Sequence, residues 1–221
     1  MKLHLGCGRQ YLDGYVNIDF PLNHQTVQED LKADRYADIR TLSFPQNSIK
    51  EIRLHHVFEH FTRHVALALL CRWRLWLIRG GLLRIETPDA MACFRLMMSP
   101  FVSFERKQQV MRAIFGSHEA KWAVHCDGWY RKKFIKTLSV LGFKNIRFAF
   151  TKWGMLRNIE VFAEKSDSNI SDREIEERVK KLLFDNIIRT PSKENGNEKV
   201  GESELKMIEV WMEKWNSLYF Q

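Results

Sequence analysis

Two short segments near the start of the chain carry the residue types of a nucleoside-binding edge. Residues 3–8 (Leu-His-Leu-Gly-Cys-Gly) are an apolar run that ends in glycines, and the strand-like residues 15–20 contain Asp19. Glycine lets the backbone approach a ligand closely because it has no Cβ, and an acidic side chain after a second strand can accept both ribose hydroxyls. The dinucleotide fingerprint G-x-G-x-x-G is not met, because Tyr11 stands at its third glycine.

The elements that must position this edge alternate between strand and helix. Hydrophobic runs predict strands at residues 2–5, 15–20, 51–57, 82–86, 146–151 and 159–164, and apolar residues at helical spacing predict helices at residues 65–78 and 130–141. Gly80 and Gly81 are expected to end the first helix. This alternation is typical of an α/β protein whose mostly parallel sheet has helices on both faces.

A change to polar composition after Lys165 divides the chain into two predicted regions. Residues 1–165 form the α/β domain, and a Met- and Phe-rich insertion at about residues 90–123 either packs on its core or serves as a substrate lid. Residues 166–217 form a helical extension, with a capping box at residues 171–174, a linker at 190–203 and a last helix at 205–215. Residues 218–221 (Leu-Tyr-Phe-Gln) resemble the remnant of a cleavable tag and are left out of the predicted fold.

Composition narrows the class of protein. The 221 residues are 45% hydrophobic, which suffices for one α/β domain with a small appendage. The net charge of +8 favours anionic partners, although the basic residues are spread along the chain as on an ordinary solvated surface. Four cysteines without C-x-x-C spacing predict reduced thiols in an intracellular, cytoplasmic protein. No apolar run reaches the roughly 18 residues of a membrane span.

Five ordered motifs resemble those of class I S-adenosylmethionine-dependent methyltransferases. Residues 5–8 are similar to the family's first motif, and Asp19 matches its ribose-binding acid. The other three are residues 37–45, similar to D-x-x-x-L-P-F on the adenine side; residues 55–60, similar to H-V-L-E-H after strand four; and residues 77–85, similar to L-K-P-G-G-x-L-x-I before strand five. With Leu-Gly-Phe at residues 141–143, the resemblance covers residues 1–165.

The resemblance implies a Rossmann-like fold, with a seven-stranded sheet of order 3-2-1-4-5-7-6. It also implies S-adenosylmethionine as methyl donor and S-adenosylhomocysteine as product. The residues that would bind the methyl donor are Leu5, Gly6, Cys7, Gly8, Asp19, Asp38, Ile39, His56 and Val57. One departure is His4, which stands where many members have an acidic residue, so the amino group of the methyl donor needs another acceptor.

The segment G-C-G-x-x-x-x-x-G-Y-x-N-I-D most closely resembles predicted methyltransferases associated with polysaccharide biosynthesis, including domains fused to glycosyltransferases in glycan-building enzymes of large algal viruses. This implies O-methylation of a sugar hydroxyl of a glycan or nucleotide-sugar, for example a deoxyhexose such as rhamnose. It also implies that the chain is one domain of a larger enzyme; a homodimer through the tail is a further expectation. The predicted substrate-binding residues are His118, Trp122, Trp129 and Tyr130, although these aromatic rings could equally belong to the core.

A hydroxyl acceptor loses its proton as the new bond forms, and histidine suits that task. The first candidate base is His125, where the subgroup carries a histidine before the last helix; His60 is the second. Asp89 would orient the base or bind a hydroxyl, or simply cap a turn. His56, His60 and His64 would share one face of a helix. Because the resemblance places a strand-to-helix turn at His56, no metal site is predicted.

Two other functions stay open. The positive charge favours a nucleic-acid methyltransferase, but the Asn/Asp-Pro-Pro-Tyr motif of base amino-methylation is absent, with Thr87-Pro88-Asp89 in its place, and there is no catalytic Pro-Cys pair. A non-catalytic binding module that keeps the fold is the other alternative. The intact Gly6, Gly8, Asp19 and Asp38 argue against it.

Overall fold

The computed structural model describes residues 1–21, 27, 31–191 and 198–221. Its main sheet has seven strands in the order β3-β2-β1-β4-β5-β7-β6. Only β7 runs antiparallel to its neighbours β5 and β6. The strands are β1 (Lys2–Leu5), β2 (Val16–Asp19), β3 (Arg35–Tyr36), β4 (Ile49–His55), β5 (Leu77–Pro88), β6 (Phe143–Trp153) and β7 (Leu156–Lys165). The predicted order 3-2-1-4-5-7-6 is therefore confirmed.

The centre of the sheet is apolar on one face. The residues Leu3 and Leu5 of β1, Ile18 of β2 and Leu54 of β4 share this face by register and have no exposed surface. The other face is polar, as Arg53 of β4 shows, and is only partly buried there. β1 pairs in parallel with both β2 and β4, and β4 with β5. The carboxyl ends of these four strands therefore open at one edge of the sheet.

Six α-helices lie in the described part of the chain. They are α1 (Arg63–Trp76), α2 (Ala90–Met98), α3 (Phe104–Phe115), α4 (Arg131–Val140), α5 (Asp172–Phe184) and α6 (Glu202–Tyr219). The described residues between β1 and β4 form a 3₁₀ turn at Ile39–Thr41 but no α-helix. None of the helices in the described residues is both long and apolar enough to cross a membrane.

The end of α1 differs from the prediction. Gly80 and Gly81 do not cap this helix; they lie within β5, which begins at Leu77. The reason is that other elements already use the carbonyl groups at the end of the helix. Asn47 donates its backbone N–H to Leu75 (3.0 Å), and Ser48 donates to Trp76 (2.9 Å). The chain turns directly into the sheet at that point, where Leu77 pairs with Ile49 of β4.

The insertion forms the helical pair α2 and α3. One of the two predictions for this insertion was that it packs on the core. Several of its apolar side chains do not: Met98, Phe101 and Phe104 are exposed, Phe101 by 95%. The second half of α3 instead borders an open cleft at the edge of the sheet, through Gln109, Arg112 and Ala113.

The C-terminal region is more ordered than predicted. The segment 190–203 is not wholly a linker, because β8 (Arg189–Pro191) and β9 (Glu198–Val200) pair as a two-stranded antiparallel sheet; residues 192–197 lie outside the described part. Residues 218–221 are not all outside the fold either: Leu218 and Tyr219 are buried at the end of α6.

Burial of that end has a clear physical origin. The Tyr219 hydroxyl donates to Asp172 (2.9 Å), and its ring stacks on the fully buried Trp215 at 4.7 Å. On the other side, the buried Arg72 of α1 donates to the backbone carbonyl of Leu218 (3.3 Å). The last helix thus closes over α1.

Candidate functional site

An open cleft of about 1160 Å³ lies at the carboxyl ends of β1, β2, β4 and β5. Its far wall is formed by α3, by the segment that follows it, and by the turn between β6 and β7. Small-molecule sites commonly measure roughly 300–1,000 Å³. The cleft is therefore large enough for two small molecules side by side.

Glycine is required at the floor of the cleft. Gly6 follows β1 with φ of +67°, a conformation that side-chain-bearing residues avoid. A Cβ at Gly6 would stand 2.2 Å from a methyl group of Val57, which follows β4. Gly8 also has a positive φ, of +52°. The ends of β1 and β4 can meet this closely only because no side chain intervenes.

Asn17 closes the loop that follows these glycines. Its amide group donates to the carbonyls of Leu12 (3.0 Å) and Tyr15 (3.2 Å), and its Oδ1 accepts from the Leu12 backbone N–H (2.9 Å). The asparagine of the N-I-D segment therefore shapes the glycine loop. The same Oδ1 accepts from Nδ1 of the buried His4 (3.1 Å), so His4 is part of this scaffold and does not line the cleft.

Asp19 and Asp38 both border the cleft. Asp19 accepts the backbone N–H of Gly8 (2.6 Å) on Oδ2 and that of Phe20 (2.7 Å) on Oδ1. Asp38 caps the turn Ile39–Thr41 and forms a bidentate ion pair with Arg40. The glycine cradle and the two carboxylates fit a nucleoside-bearing methyl donor.

A cluster of three histidines surrounds Glu59, which is 2% exposed. Glu59 Oε1 lies 3.2 Å from Nδ1 of His56 and 4.0 Å from Nε2 of His125. The rings of His60 and His125 meet edge to face at 4.8 Å. All four side chains border the cleft. We refer to His56, Glu59, His60 and His125 as the Glu59 cluster.

Backbone hydrogen bonds bring the distant His125 to this cluster. The backbone N–H of Cys126 donates to the Glu59 carbonyl (2.8 Å), and that of His125 to Phe115 at the end of α3 (3.0 Å). Because Nδ1 of His125 lies 2.9 Å from the Ala113 carbonyl, Nδ1 carries the proton and Nε2 presents a lone pair. His60 Nδ1 lies 3.2 Å from the Val124 carbonyl, so Nδ1 of His60 also carries a proton and donates it to this hydrogen bond.

The protonation states of the cluster follow from burial and from these contacts. Burial raises the pKa of the Glu59 carboxyl, but the hydrogen bond from His56 and the nearby His60 and His125 outweigh this and hold it below its usual value. Burial opposes protonation of His56, yet the hydrogen bond with Glu59 raises the pKa of His56. Burial lowers the pKa of His125 despite the attraction of Glu59. The cluster therefore pairs an ionised carboxylate with a neutral His125.

A second polar group lies beside the cluster at the end of β5. Glu86 Oε1 accepts from the Thr151 hydroxyl (2.5 Å) and from the Asn158 amide (3.1 Å), and Oε2 lies 3.3 Å from Nε2 of His55. Burial raises the pKa of Glu86, but the Thr151 hydrogen bond and the proximity of His55 outweigh it, so the pKa of Glu86 lies below its usual value. The carboxylates of Glu59 and Glu86 are thus ionised and held by neighbouring side chains.

Most of the predicted methyl-donor site comes together at this cleft. Of the nine predicted residues, Gly6, Cys7, Gly8, Asp19, Asp38, Ile39, His56 and Val57 line it, whereas Leu5 is wholly buried in β1. Cys7 is not a reactive thiol, since burial raises its pKa to about 12.

The predicted catalytic and substrate residues divide between the cleft and other positions. His125, His60 and Trp122 line the cleft. Asp89 does not; its carboxylate caps α2 by accepting from Met91 (3.1 Å) and Ala92 (3.4 Å), which is the turn-capping alternative. His118 is exposed outside the cleft, with Nε2 2.8 Å from the Phe115 carbonyl.

Trp129 and Tyr130 are also corrections. Trp129 is 2% exposed and packs against Phe58 and Phe134, both at 4.8 Å, so its ring belongs to the core. Tyr130 stands at the start of α4 and does not border the cleft.

The residues of the cleft that were not predicted from the sequence include His55, Glu59, Glu86, Thr151 and Asn158. His55 and Glu59 lie inside the motif at residues 55–60, so the sequence places them after strand four. Their contacts with Glu86 and His125, which come from other parts of the chain, could not be predicted from that motif. The ligand atoms of Glu59, His60 and His125 all lie within 4.8 Å of one another, as do those of His55, His56 and Glu86. The helical series of His56, His60 and His64 does not form, because His56 has a left-handed backbone and His60 lies in a 3₁₀ turn.

Comparison with known proteins bears on the fold. No protein-family model and no curated protein matches the chain by sequence. The chain is similar to the solved structure of a SAM-dependent methyltransferase from Archaeoglobus fulgidus, at 14% identity over 74% of this chain and 85% of that one, with a TM-score of 0.51.

Two further structures are more distant. A S-adenosylmethionine-dependent methyltransferase from Mesorhizobium loti is 14% identical over 74% of this chain and 89% of that one, with a TM-score of 0.49. A possible exported protein from Bordetella parapertussis is 13% identical over 74% of this chain, with a TM-score of 0.46, and the chain spans 61% of its length. Together with the strand order, the Archaeoglobus similarity shows that the chain has the Rossmann-like class I methyltransferase fold.

Proposed function

We propose that the chain binds S-adenosylmethionine and transfers its methyl group to a hydroxyl of a small-molecule acceptor, with a sugar as the acceptor class. The observation that carries this proposal is the composition of one cleft. A glycine cradle with Asp19 and Asp38 forms one wall, and the Glu59 cluster stands beside it. A methyl-donor site and proton-handling groups share one cavity at the carboxyl edge of the sheet, where ligands of open α/β folds bind.

The residues that would hold the methyl donor follow from the geometry. The backbone at Gly6–Gly8 would pass under it, Asp19 would accept ribose hydroxyls, and Asp38 with Ile39 would border the base. When bound, the sulfonium supplies an activated methyl group, so positioning of the acceptor accounts for much of the rate. His56 and Val57, which follow β4, would contact the donor between these groups.

The class of acceptor is inferred from the residues of the cleft that are not assigned to the methyl donor. Nε2 of the neutral His125 presents a lone pair that can accept a hydroxyl proton, with the Glu59 carboxylate 4.0 Å away to stabilise the resulting charge. Trp122 lies beside His60, with ring centroids 6.1 Å apart, and offers an aromatic face to a sugar ring. A hydroxyl-bearing sugar matches both features.

Calorimetric titration with S-adenosylhomocysteine tests the methyl-donor half of the proposal. We expect micromolar binding by the wild-type protein, none of NAD, and severe loss of binding in Asp19→Ala. Asp185→Ala, a surface carboxylate that does not border the cleft, is the matched control. Circular dichroism confirms that each variant is folded. Binding by Asp19→Ala at wild-type affinity would show that the methyl-donor site is misassigned.

Acceptor assays with isotopically labelled S-adenosylmethionine test the second half. We expect label in deoxyhexose-containing glycans or nucleotide-sugars and none in RNA or DNA. Label in nucleic acid alone would overturn the sugar assignment and leave methyl-donor binding standing. Binding of S-adenosylhomocysteine without transfer to any acceptor class would favour the non-catalytic module.

A further inference from the structure

The Glu59 cluster has the arrangement of an open metal site. One ligand atom each from Glu59, His60 and His125 lies within 4.8 Å of the other two, and all three residues border the cleft. Two imidazoles and one carboxylate are a ligand set that suits first-row divalent ions and leaves coordination positions open. Those open positions would face the cavity in which the acceptor must lie.

The outer contacts of the histidines are those of metal ligands. Nδ1 of His125 donates to the Ala113 carbonyl (2.9 Å) and Nδ1 of His60 to the Val124 carbonyl (3.2 Å). Metal-binding histidines usually donate their second ring N–H in this way, which orients the ring and fixes the tautomer. In the neutral form of each ring, Nε2 therefore carries a lone pair that can bind a cation.

A buried atom of Glu59 supplies an independent observation. Glu59 Oε1 contacts His56 and faces His125, but Oε2 is buried and has no hydrogen-bond partner. Burying an unsatisfied carboxylate oxygen costs free energy that a hydrogen bond or a cation would offset. A cation that the Glu59 carboxylate binds through both of its oxygens would satisfy Oε2 as well as Oε1.

The neighbouring group at Glu86 is a weaker candidate. Both of its carboxylate oxygens already have partners, Oε1 with Thr151 and Asn158 and Oε2 with His55. A cation there would have to displace these contacts. The unsatisfied oxygen distinguishes the Glu59 cluster from it.

We propose that Glu59, His60 and His125 bind a first-row divalent cation that coordinates the acceptor hydroxyl. This rests on the proposed methyltransferase function and changes one part of it, because His125 becomes a ligand in place of a free base. A coordinated hydroxyl loses its proton more readily. That proton passes to water, the acceptor oxygen bonds to the methyl carbon, and the carbon–sulfur bond of the sulfonium breaks to leave a thioether.

Cobalt binding tests the proposal without relying on activity. The full chain, without a polyhistidine tag and freed of metal with a chelator, is titrated with Co²⁺, and the visible absorption of the ion is followed. We expect saturable binding by the wild type, and affinity at least about tenfold weaker in Glu59→Gln and in His60→Asn. His64→Gln is the matched control, since His64 stands four residues beyond His60 but is not a member of the cluster. Its affinity should equal that of the wild type.

Two results would overturn the cation proposal: no saturable Co²⁺ binding by the wild type, or equal affinity in the wild type and both cluster variants. A titration of the same metal-free sample with S-adenosylhomocysteine separates this from the proposed function. Retained binding of S-adenosylhomocysteine with no Co²⁺ binding removes only the cation. Retained binding of S-adenosylhomocysteine by Glu59→Gln also shows that this variant is folded.

Discussion

Gly6 carries two constraints at a single residue. Its backbone has φ of +67°, and the position that a Cβ would take is filled by a methyl group of Val57. Gly14 has only the first constraint, since its φ is +80° but a Cβ there would meet no atom within 4 Å. The pair therefore separates the energetic effect of backbone conformation from that of contact.

We expect Gly6→Ala to destabilise the protein by more than Gly14→Ala, which should cost only the about 1–2 kcal/mol of a left-handed backbone. Gly6→Ala should also abolish binding of S-adenosylhomocysteine, because the loop must move away from Val57. Urea unfolding and calorimetry measure the two effects. The double variant Gly6→Ala/Val57→Ala should recover part of the stability. Equal losses in the two single variants would contradict the contact with Val57.

At the scale of elements, the last helix is part of the structural core. Trp215 of α6 is fully buried and stacks on Tyr219. The buried Arg72 links α1 to the carbonyls of Arg40 (2.8 Å) and Leu218 (3.3 Å). A helix that meets the domain only through a flexible tail would bury none of these groups.

We expect Trp215→Ala to lower the free energy of unfolding by about 3–5 kcal/mol, because it empties a large buried volume. Tyr219→Phe should cost about 1 kcal/mol through loss of the hydrogen bond to Asp172. Glu213→Ala, at an exposed position of the same helix, is the control and should change stability little. Urea unfolding followed by circular dichroism gives these values. Trp215→Ala with wild-type stability would show that α6 does not pack as described.

At the scale of the whole molecule, the cleft draws residues from most of the sheet. It is bordered by the glycine loop after β1, by Asp19, by His55 and His56, by Glu86, and by the turn between β6 and β7. A ligand in this cleft would therefore contact chain segments that separate on unfolding. Binding of the ligand should therefore raise the free energy of unfolding of the whole domain.

We expect S-adenosylhomocysteine at about 100 times its Kd to add about 2.7 kcal/mol to the free energy of unfolding, by preferential binding to the folded state. Thermal and urea unfolding with and without the ligand measure this gain. NAD should give none, and Asp19→Ala should lose the gain. An equal increase with NAD would indicate non-specific binding.

Local features of the sequence sufficed for the scaffold of the site. Hydrophobic runs located the central strands, and the spacing of the glycines and Asp19 placed a nucleoside-type edge after β1 and β2, where the cleft lies. These signals can be recognised in the sequence because they depend only on residues close together in the chain. They are the alternating burial along a strand and a turn that only glycine adopts readily. The boundary between α1 and β5 was wrong for the converse reason, since Asn47 and Ser48, from a distant segment, bind the carbonyls that end the helix.

Long-range packing decided which side chains face the cleft. Trp122 and Trp129 are seven positions apart by number and of one residue type, yet the first borders the cleft and the second fills the core against Phe58. Glu59 meets His125 because backbone hydrogen bonds join Cys126 to Glu59 and His125 to Phe115. Likewise Glu86 meets Thr151 across the sheet. No local pattern encodes such contacts, because they arise from the packing of elements that are far apart in the chain. That packing assembles the part of the cleft around Glu59 and Glu86.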